Sequence, residues 1–300
     1  MARTLPLLLL SLLLLGGCTC KLPNTWRTRL VSTTPHPPLF LKTIGSGNPI
    51  LLIHGLGTDH HSFRKISPSL SKNHRLYLID LKGFGNSPKP TDGRYSPYDH
   101  AAWILDTIRR ENLRHLTIIA HSIGAAVAMI ITLKAPDQID RLILIDPVVY
   151  PQYYPKLLSY LRNSAFARAA FYLLPASWMI RDAYGYAFYD PDKIDSELIE
   201  IYAENLNRPH ARYAFLKTLM SLQPEDMKQL AKRYRKITIP VLIISGEKDI
   251  VTDRQSLIRL DHTLPRSRHK TIPRCGHIPQ EECPQITSRF IQDFLRKRER

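Results

Sequence analysis

The sequence is poor in cysteine, glycine and acidic residues, and each shortage removes a class of protein. Four cysteines in 300 residues are too few for a disulfide-held mini-protein. Thirteen glycines and twenty-three prolines without a repeating period exclude a collagen-like chain. No Cys-x-x-Cys pair exists and the twelve histidines are scattered, so no metal-ligand spacing stands out. The one dense cluster, Asp59-His60-His61, is read as a solvated loop, and no metal or other cofactor is expected. Acidic residues number 26 against 42 Lys and Arg, a net charge of +16. The basic residues are spread along the chain except for the run Arg296 to Arg300, and no nucleic-acid motif accompanies them. A solvated basic surface, suited to an acidic envelope lipid rather than to nucleic acid, is the expectation. What is plentiful is apolar: 44% of residues, enough to bury a core and to exclude a disordered chain.

Long apolar runs are also scarce. The longest, Leu5 to Leu15, is about half of the ~20 residues a membrane-spanning helix needs. It follows Arg3 and precedes Gly16-Gly17, the order of a signal peptide. Leu15-Gly16-Gly17-Cys18 resembles the lipobox of bacterial lipoproteins. The resemblance implies cleavage after residue 17, a lipid anchor on Cys18 and a tether over 18–37. With Thr19 rather than Asp next, it also implies the outer membrane of a Gram-negative cell envelope. Arg3 is the only charge in the leader, so the basic excess belongs to the mature chain. Outside the cytosol disulfides persist, so Cys275 and Cys283 either pair or remain two thiols; spacing does not decide.

From about residue 38, short apolar runs alternate with amphipathic ones. Pro49 to Ile53, Arg75 to Ile79, His115 to Ala120 and Arg141 to Ile145 are continuous rather than alternating in polarity, as buried parallel strands are. Tyr98 to Leu113 and Ile123 to Ala135 carry helical spacing between them. The pattern predicts a mostly parallel, doubly wound α/β sheet. It breaks over 148–237, where Tyr, Phe, Trp and Leu recur at helical intervals, and resumes at Pro240 to Ile244 and Lys270 to Ile272 before a closing helix near Gln280 to Leu295. The core is therefore placed at 38–147 and 238–296, with a helical cap between. Most of the cap's aromatic residues are expected to pack within it, and some to face a cleft.

Chemistry concentrates where strands end. Ala120-His121-Ser122-Ile123-Gly124 is Gly-x-Ser-x-Gly with Ala first, at a strand-to-helix turn that exposes a serine hydroxyl and aims helix amides at an oxyanion. Asp249 in Gly246-Glu247-Lys248-Asp249 and His277 in Gly276-His277-Ile278-Pro279 follow in the order nucleophile, acid, base. Asp146, ending another strand, is a second candidate acid. His54-Gly55-Leu56-Gly57 turns after an early strand, so the Leu56 and Ile123 amides are the expected oxyanion donors. His54 is read as structural.

These segments, with Asp80-x-x-Gly83-x-Gly85-x-Ser87 and His277-x-Pro279-x-x-Glu282-x-Pro284, resemble the α/β-hydrolase superfamily over about residues 38–296. Phe63 stands where Trp is usual. The resemblance implies a helical cap between the sixth and seventh strands, a Ser122-His277-Asp249 triad and hydrolysis of a small-molecule carboxylic ester, while the Tyr, Phe and Leu of the cap argue for an apolar acyl or aromatic part. A Ser at 122 excludes relatives with an Asp nucleophile. A carbon–carbon bond hydrolase acting on diketones, or a non-catalytic lipid-anchored binding protein, are the alternatives.

Overall fold

A computed structural model describes residues 36–152 and 156–296; the leader, Cys18 and Tyr153-Tyr154 lie outside the described residues. The chain from Pro35 to Arg300 is one compact unit. Its first half runs β1 (Leu41–Ile44), β2 (Asn48–Ile53), α1 (Ser67–Leu70), β3 (His74–Ile79), α2 (Pro97–Arg110), β4 (Leu116–His121), α3 (Ile123–Lys134) and β5 (Ile139–Ile145), with β1 and α1 added to the elements expected. Six helices follow: α4 (Lys156–Asn163), α5 (Ala165–Phe171), α6 (Ala176–Ala187), α7 (Ser196–Asn207), α8 (Ala211–Ser221) and α9 (Met227–Arg233). The sheet then resumes with β6 (Val241–Gly246), α10 (Arg254–Thr263) and β7 (Ser267–Ile272), and the chain closes on α11 (Pro279–Glu282) and α12 (Pro284–Arg296).

The seven strands lie in the order β1-β3-β2-β4-β5-β6-β7, all parallel except β1, which runs antiparallel to β3. Seven strands are described, so the insert lies between β5 and β6 in this count rather than between a sixth and a seventh. The chain goes from β2 to one side of the sheet and then to β4 on the other, so strand order reverses between these two neighbours. At such a reversal the loops diverge and leave a crevice at the carboxyl ends of the strands.

Burial explains which runs became central. Leu116–His121 and Val241–Gly246 are buried at every position. β7 is half exposed, as its Arg268, His269 and Lys270 require of an edge strand. Helix α3 is apolar nearly all round and is accordingly buried. Helix α2 starts at a capping box, Ser96 with Asp99, with Pro97 in its first turn. The expected closing helix is two, broken at Cys283 before Pro284. Apolar clusters fill both faces of the sheet, and a third fills the insert. That third cluster also contains Ile123 and Ile278, so the insert is seated on the residues beside Ser122 and His277. No helix among the described residues is long and apolar enough to cross a membrane.

Candidate active site

Ser122 follows β4 with φ +53° and ψ −120°, a backbone conformation that side-chain-bearing residues seldom adopt. The strain is held by the turn's own bonds: Ser122 N–H donates to Ile145 O at 3.0 Å, and Ser122 O accepts from Ala125 and Val148. Two small residues let the turn close. A Cβ on Gly124 would stand 2.6 Å from His54 O, and one on Gly55 would stand 2.9 Å from His121 Nδ1. Ala120, by contrast, sits fully buried in the strand, where its methyl group is accommodated.

The three residues picked out by their order meet here. His277 Nε2 lies 3.0 Å from Ser122 Oγ, and His277 Nδ1 lies 2.8 Å from Asp249 Oδ2. With Nδ1–H donating to the carboxylate, Nε2 presents its lone pair to the serine hydroxyl, the arrangement a general base needs. Asp249 Oδ1 accepts from the Val251 and Thr252 amides at 2.7 and 3.1 Å. Burial opposes its ionisation, but His277 and these bonds hold its carboxyl well below the usual carboxylate range. Thr252 Oγ1, 3.3 Å from His277 Nδ1, bounds the same nitrogen.

Asp146, the other candidate acid, does not face Nδ1 as Asp249 does. It is fully buried, sits at φ +40° and accepts from Gly246 N–H at 3.1 Å. Burial, and next the adjacent Asp249 carboxylate, push its carboxyl well above the usual range. Of these two hydrogen-bonded carboxyls Asp146 is the one held toward its protonated form and Asp249 the one held toward its ionised form, a contact between two strand ends about a hundred residues apart that no local pattern announces.

Leu56 and Ile123 both line the cavity with Ser122, Leu56 after β2 and Ile123 as the first residue of α3. Among the described residues neither amide donates to another protein group, so both are free for an incoming oxygen. His54 is structural: its Nδ1 donates to Gly55 O at 2.8 Å and its Nε2 accepts from Leu81 N–H at 2.9 Å. Asp80 is structural too. It accepts from the His60 and Asn86 amides at 2.8 Å, and Gly85 at φ +48° leaves room for its carboxylate.

Asp59-His60-His61 is not the solvated loop expected. Asp59 and His60 are buried, because Asp59 caps the following turn and binds His61 while His60 binds Asp80. These donors are engaged within the fold. Cys275 and Cys283 are joined in a disulfide that brackets His277, their Cα atoms 6.4 Å apart. Glu282, present in the sequence motif but given no role there, straps this loop to the insert. One oxygen accepts from Gly276 N–H at 2.6 Å and the other from the Tyr189 and Asp190 amides at 3.1 and 2.8 Å. His277 N–H adds a bond to Ala187 O at 2.6 Å. His121, also unforeseen, donates from Nε2 to His277 O at 2.8 Å. Burial, and then His277, push its imidazole down to about 3, so it is neutral at ordinary pH.

Above Ser122 lies a cavity of about 180 Å³ between the strand ends and the insert. Leu161, Phe171, Trp178, Met179, Tyr184 and Phe215 of the insert line it, and the lining holds no lysine or arginine. The family described as alpha/beta hydrolase fold matches residues 48–284. The chain belongs to the α/β-hydrolase fold family.

Among its relatives in that family, a 2-hydroxy-6-oxo-2,4-heptadienoate hydrolase of Pseudomonas putida is 27% identical over 264 residues, covering 85% of this chain and 91% of that one. Lipase 3 of a Moraxella species is 26% identical over 253 residues, covering 83% and 78%. A thermophilic esterase from Thermogutta terrifontis superposes with a TM-score of 0.73 at 22% identity, covering 86% of this chain and 93% of that one, a likeness of fold. Hydrolysis is the activity these α/β hydrolases share; which bond this chain cleaves is a separate matter.

Proposed function

We propose that this α/β hydrolase cleaves carboxylic esters with an apolar acyl or aromatic part, through an acyl-enzyme on Ser122. The observation that carries the reading is the Ser122–His277–Asp249 chain of hydrogen bonds opening on an apolar cavity. His277 takes the Ser122 proton as Oγ attacks the ester carbonyl, and the Leu56 and Ile123 amides receive the oxyanion. His277 then protonates the departing alcohol, and a water activated by the same nitrogen releases the acid. The cavity is smaller than the roughly 300–1,000 Å³ of drug-sized sites, which suits a medium acyl chain.

The domain reading takes 148–237 as the cap, over a core at 38–147 and 238–296. For location, the Arg3, Leu-rich and Cys18 pattern supports export and a lipid anchor at Cys18 in a bacterial cell envelope.

A carbon–carbon hydrolase is the second reading, favoured by the 27% identity to an enzyme named for a heptadienoate. That substrate bears a carboxylate, and a lining without a cationic side chain offers it no counter-charge. The test is hydrolysis of p-nitrophenyl esters by wild type and Ser122→Ala. We expect a folded variant about 10³–10⁶-fold slower, and a wild type that prefers medium acyl chains to acetyl. Full activity in the variant refutes the nucleophile; a strong acetyl preference, or cleavage of ring-fission diketones alone, refutes the substrate class.

A further inference from the structure

The outside of the insert is more apolar than a solvated helical surface should be. Among the described residues eleven large apolar side chains are exposed, and eight of them fall between Tyr160 and Tyr189. Phe166 is 75% exposed and Leu173 87%, with Tyr160, Tyr172, Trp178 and Tyr186 each about half exposed. Scattered apolar residues need no explanation, but a concentration of this kind on α4 to α6 marks a surface that something covers.

Charge and position indicate what covers it. The stretch 158–189 holds Arg162, Arg168 and Arg181 against the single acid Asp182. Arg168 donates to the Leu161 and Arg162 carbonyls, which fixes its guanidinium without neutralising it. Where Tyr172, Leu173 and Leu174 border a groove shared with Glu200 and Glu204 of α7 and Arg212 of α8, the charge is mixed. Tyrosine, tryptophan and arginine around an apolar patch are the side chains that settle at a lipid interface, with apolar bodies in the acyl boundary and polar tips among headgroups. Leu174 and Trp178 are exposed and also line the cavity above Ser122, so the patch runs to the mouth of the site. A protein seated there would close that mouth, whereas a bilayer would supply it.

We propose that the outer face of α4–α6 docks on an anionic lipid bilayer and that the cavity draws its acyl ester from that bilayer through the opening at Trp178. The docking stands on the surface alone; the delivery of an ester rests on the ester-hydrolase reading above.

The test uses the compact unit from Pro35 to Arg300, so that the apolar leader contributes nothing. It is floated with vesicles of phosphatidylcholine, with and without phosphatidylglycerol, beside a Phe166→Glu/Leu173→Glu variant. Neither residue lines the cavity. We expect the wild type to float with anionic vesicles, less with neutral ones, and the variant to bind at least tenfold more weakly. Both should hydrolyse p-nitrophenyl butyrate at rates within twofold in the absence of vesicles, which also certifies the variant's fold. Equal flotation of the two proteins, or no flotation of the wild type, overturns the proposal. So does a wild type that self-associates through this face in gel filtration and ignores vesicles. Flotation as expected with no ester hydrolysis would leave the docking standing and remove the ester reading instead.

Discussion

The sheet and the helical insert are built under opposite demands. The strands put their apolar side chains inward and end in turns so tight that Gly55, Gly85 and Gly124 have no room for a Cβ. The insert buries one apolar face on Ile123 and Ile278 and leaves another in solvent. One region holds the reacting atoms in hydrogen-bond contact; the other shapes a cavity and meets the surroundings. The two are joined at several points, among them Arg64 with Asp195, Asn205 with Asp59 and Glu282 with the Tyr189 and Asp190 amides. Reactivity is therefore expected to follow changes in the sheet's turns, and access to follow changes in the insert.

The largest effect that would sharpen this contrast concerns the buried acid pair. Asp146→Ala removes the donor to Asp249 and strands a buried carboxylate, a loss of about 1–3 kcal/mol that we expect to appear as about a 10–100-fold fall in kcat with KM little changed. Asp146→Asn restores a donor and should recover most of the rate. Equal losses in both variants would mean that Asp146 only fills space.

Next comes the strap. Glu282→Ala deprives three buried or half-buried amides of their acceptor. The expected result is about 2 kcal/mol of lost stability in urea and a larger change in KM than Asp146→Ala causes. Unaltered KM would break the idea that this link sets how the insert sits over the site.

The last effect falls on the sheet region alone and is read from stability against pH rather than from rate. Burial, and then Lys82, push His100 on α2 down to about 3, and His121 is pushed equally low. Their folded values lie below the ordinary 6.5, so between pH 6.5 and 3 the unfolded chain binds protons that the folded chain does not. The stability they contribute is complete above pH 6.5 and is lost as pH falls, by up to about 1.4 kcal/mol per unit per group. Urea midpoints should fall from pH 7.5 to 5, and His100→Gln should flatten the slope. A slope unchanged in that variant would contradict the assignment.

The same contrast governs what could be read from the residues in order. Ser122, Asp249 and His277 are each marked by a local turn after a buried strand, and such signals survive in one dimension. Leu41–Ile44 was invisible because four residues on an antiparallel edge carry no buried run. The Asp146–Asp249 contact and the His121 bond to His277 join segments over a hundred residues apart and leave no periodic trace. Asp59-His60-His61 looked like a polar loop because its partners, Asp80 and Asn205, lie elsewhere in the sequence. Helical spacing identified the insert, yet amphipathic periodicity is the same whether the second face meets protein, cavity or lipid. Phe171 and Tyr184 turn inward while Phe166 and Tyr172 are exposed, a division that helical spacing alone does not draw.

The central claim is that Ser122 is a nucleophile activated by His277, and reaction with a fluorophosphonate probe tests it most directly. The account predicts one covalent adduct on the peptide bearing Ser122, complete loss of esterase activity at one equivalent, and no labelling of a folded His277→Ala variant on the same timescale. A label on any other residue, or undiminished hydrolysis after Ser122 is fully modified, would contradict it.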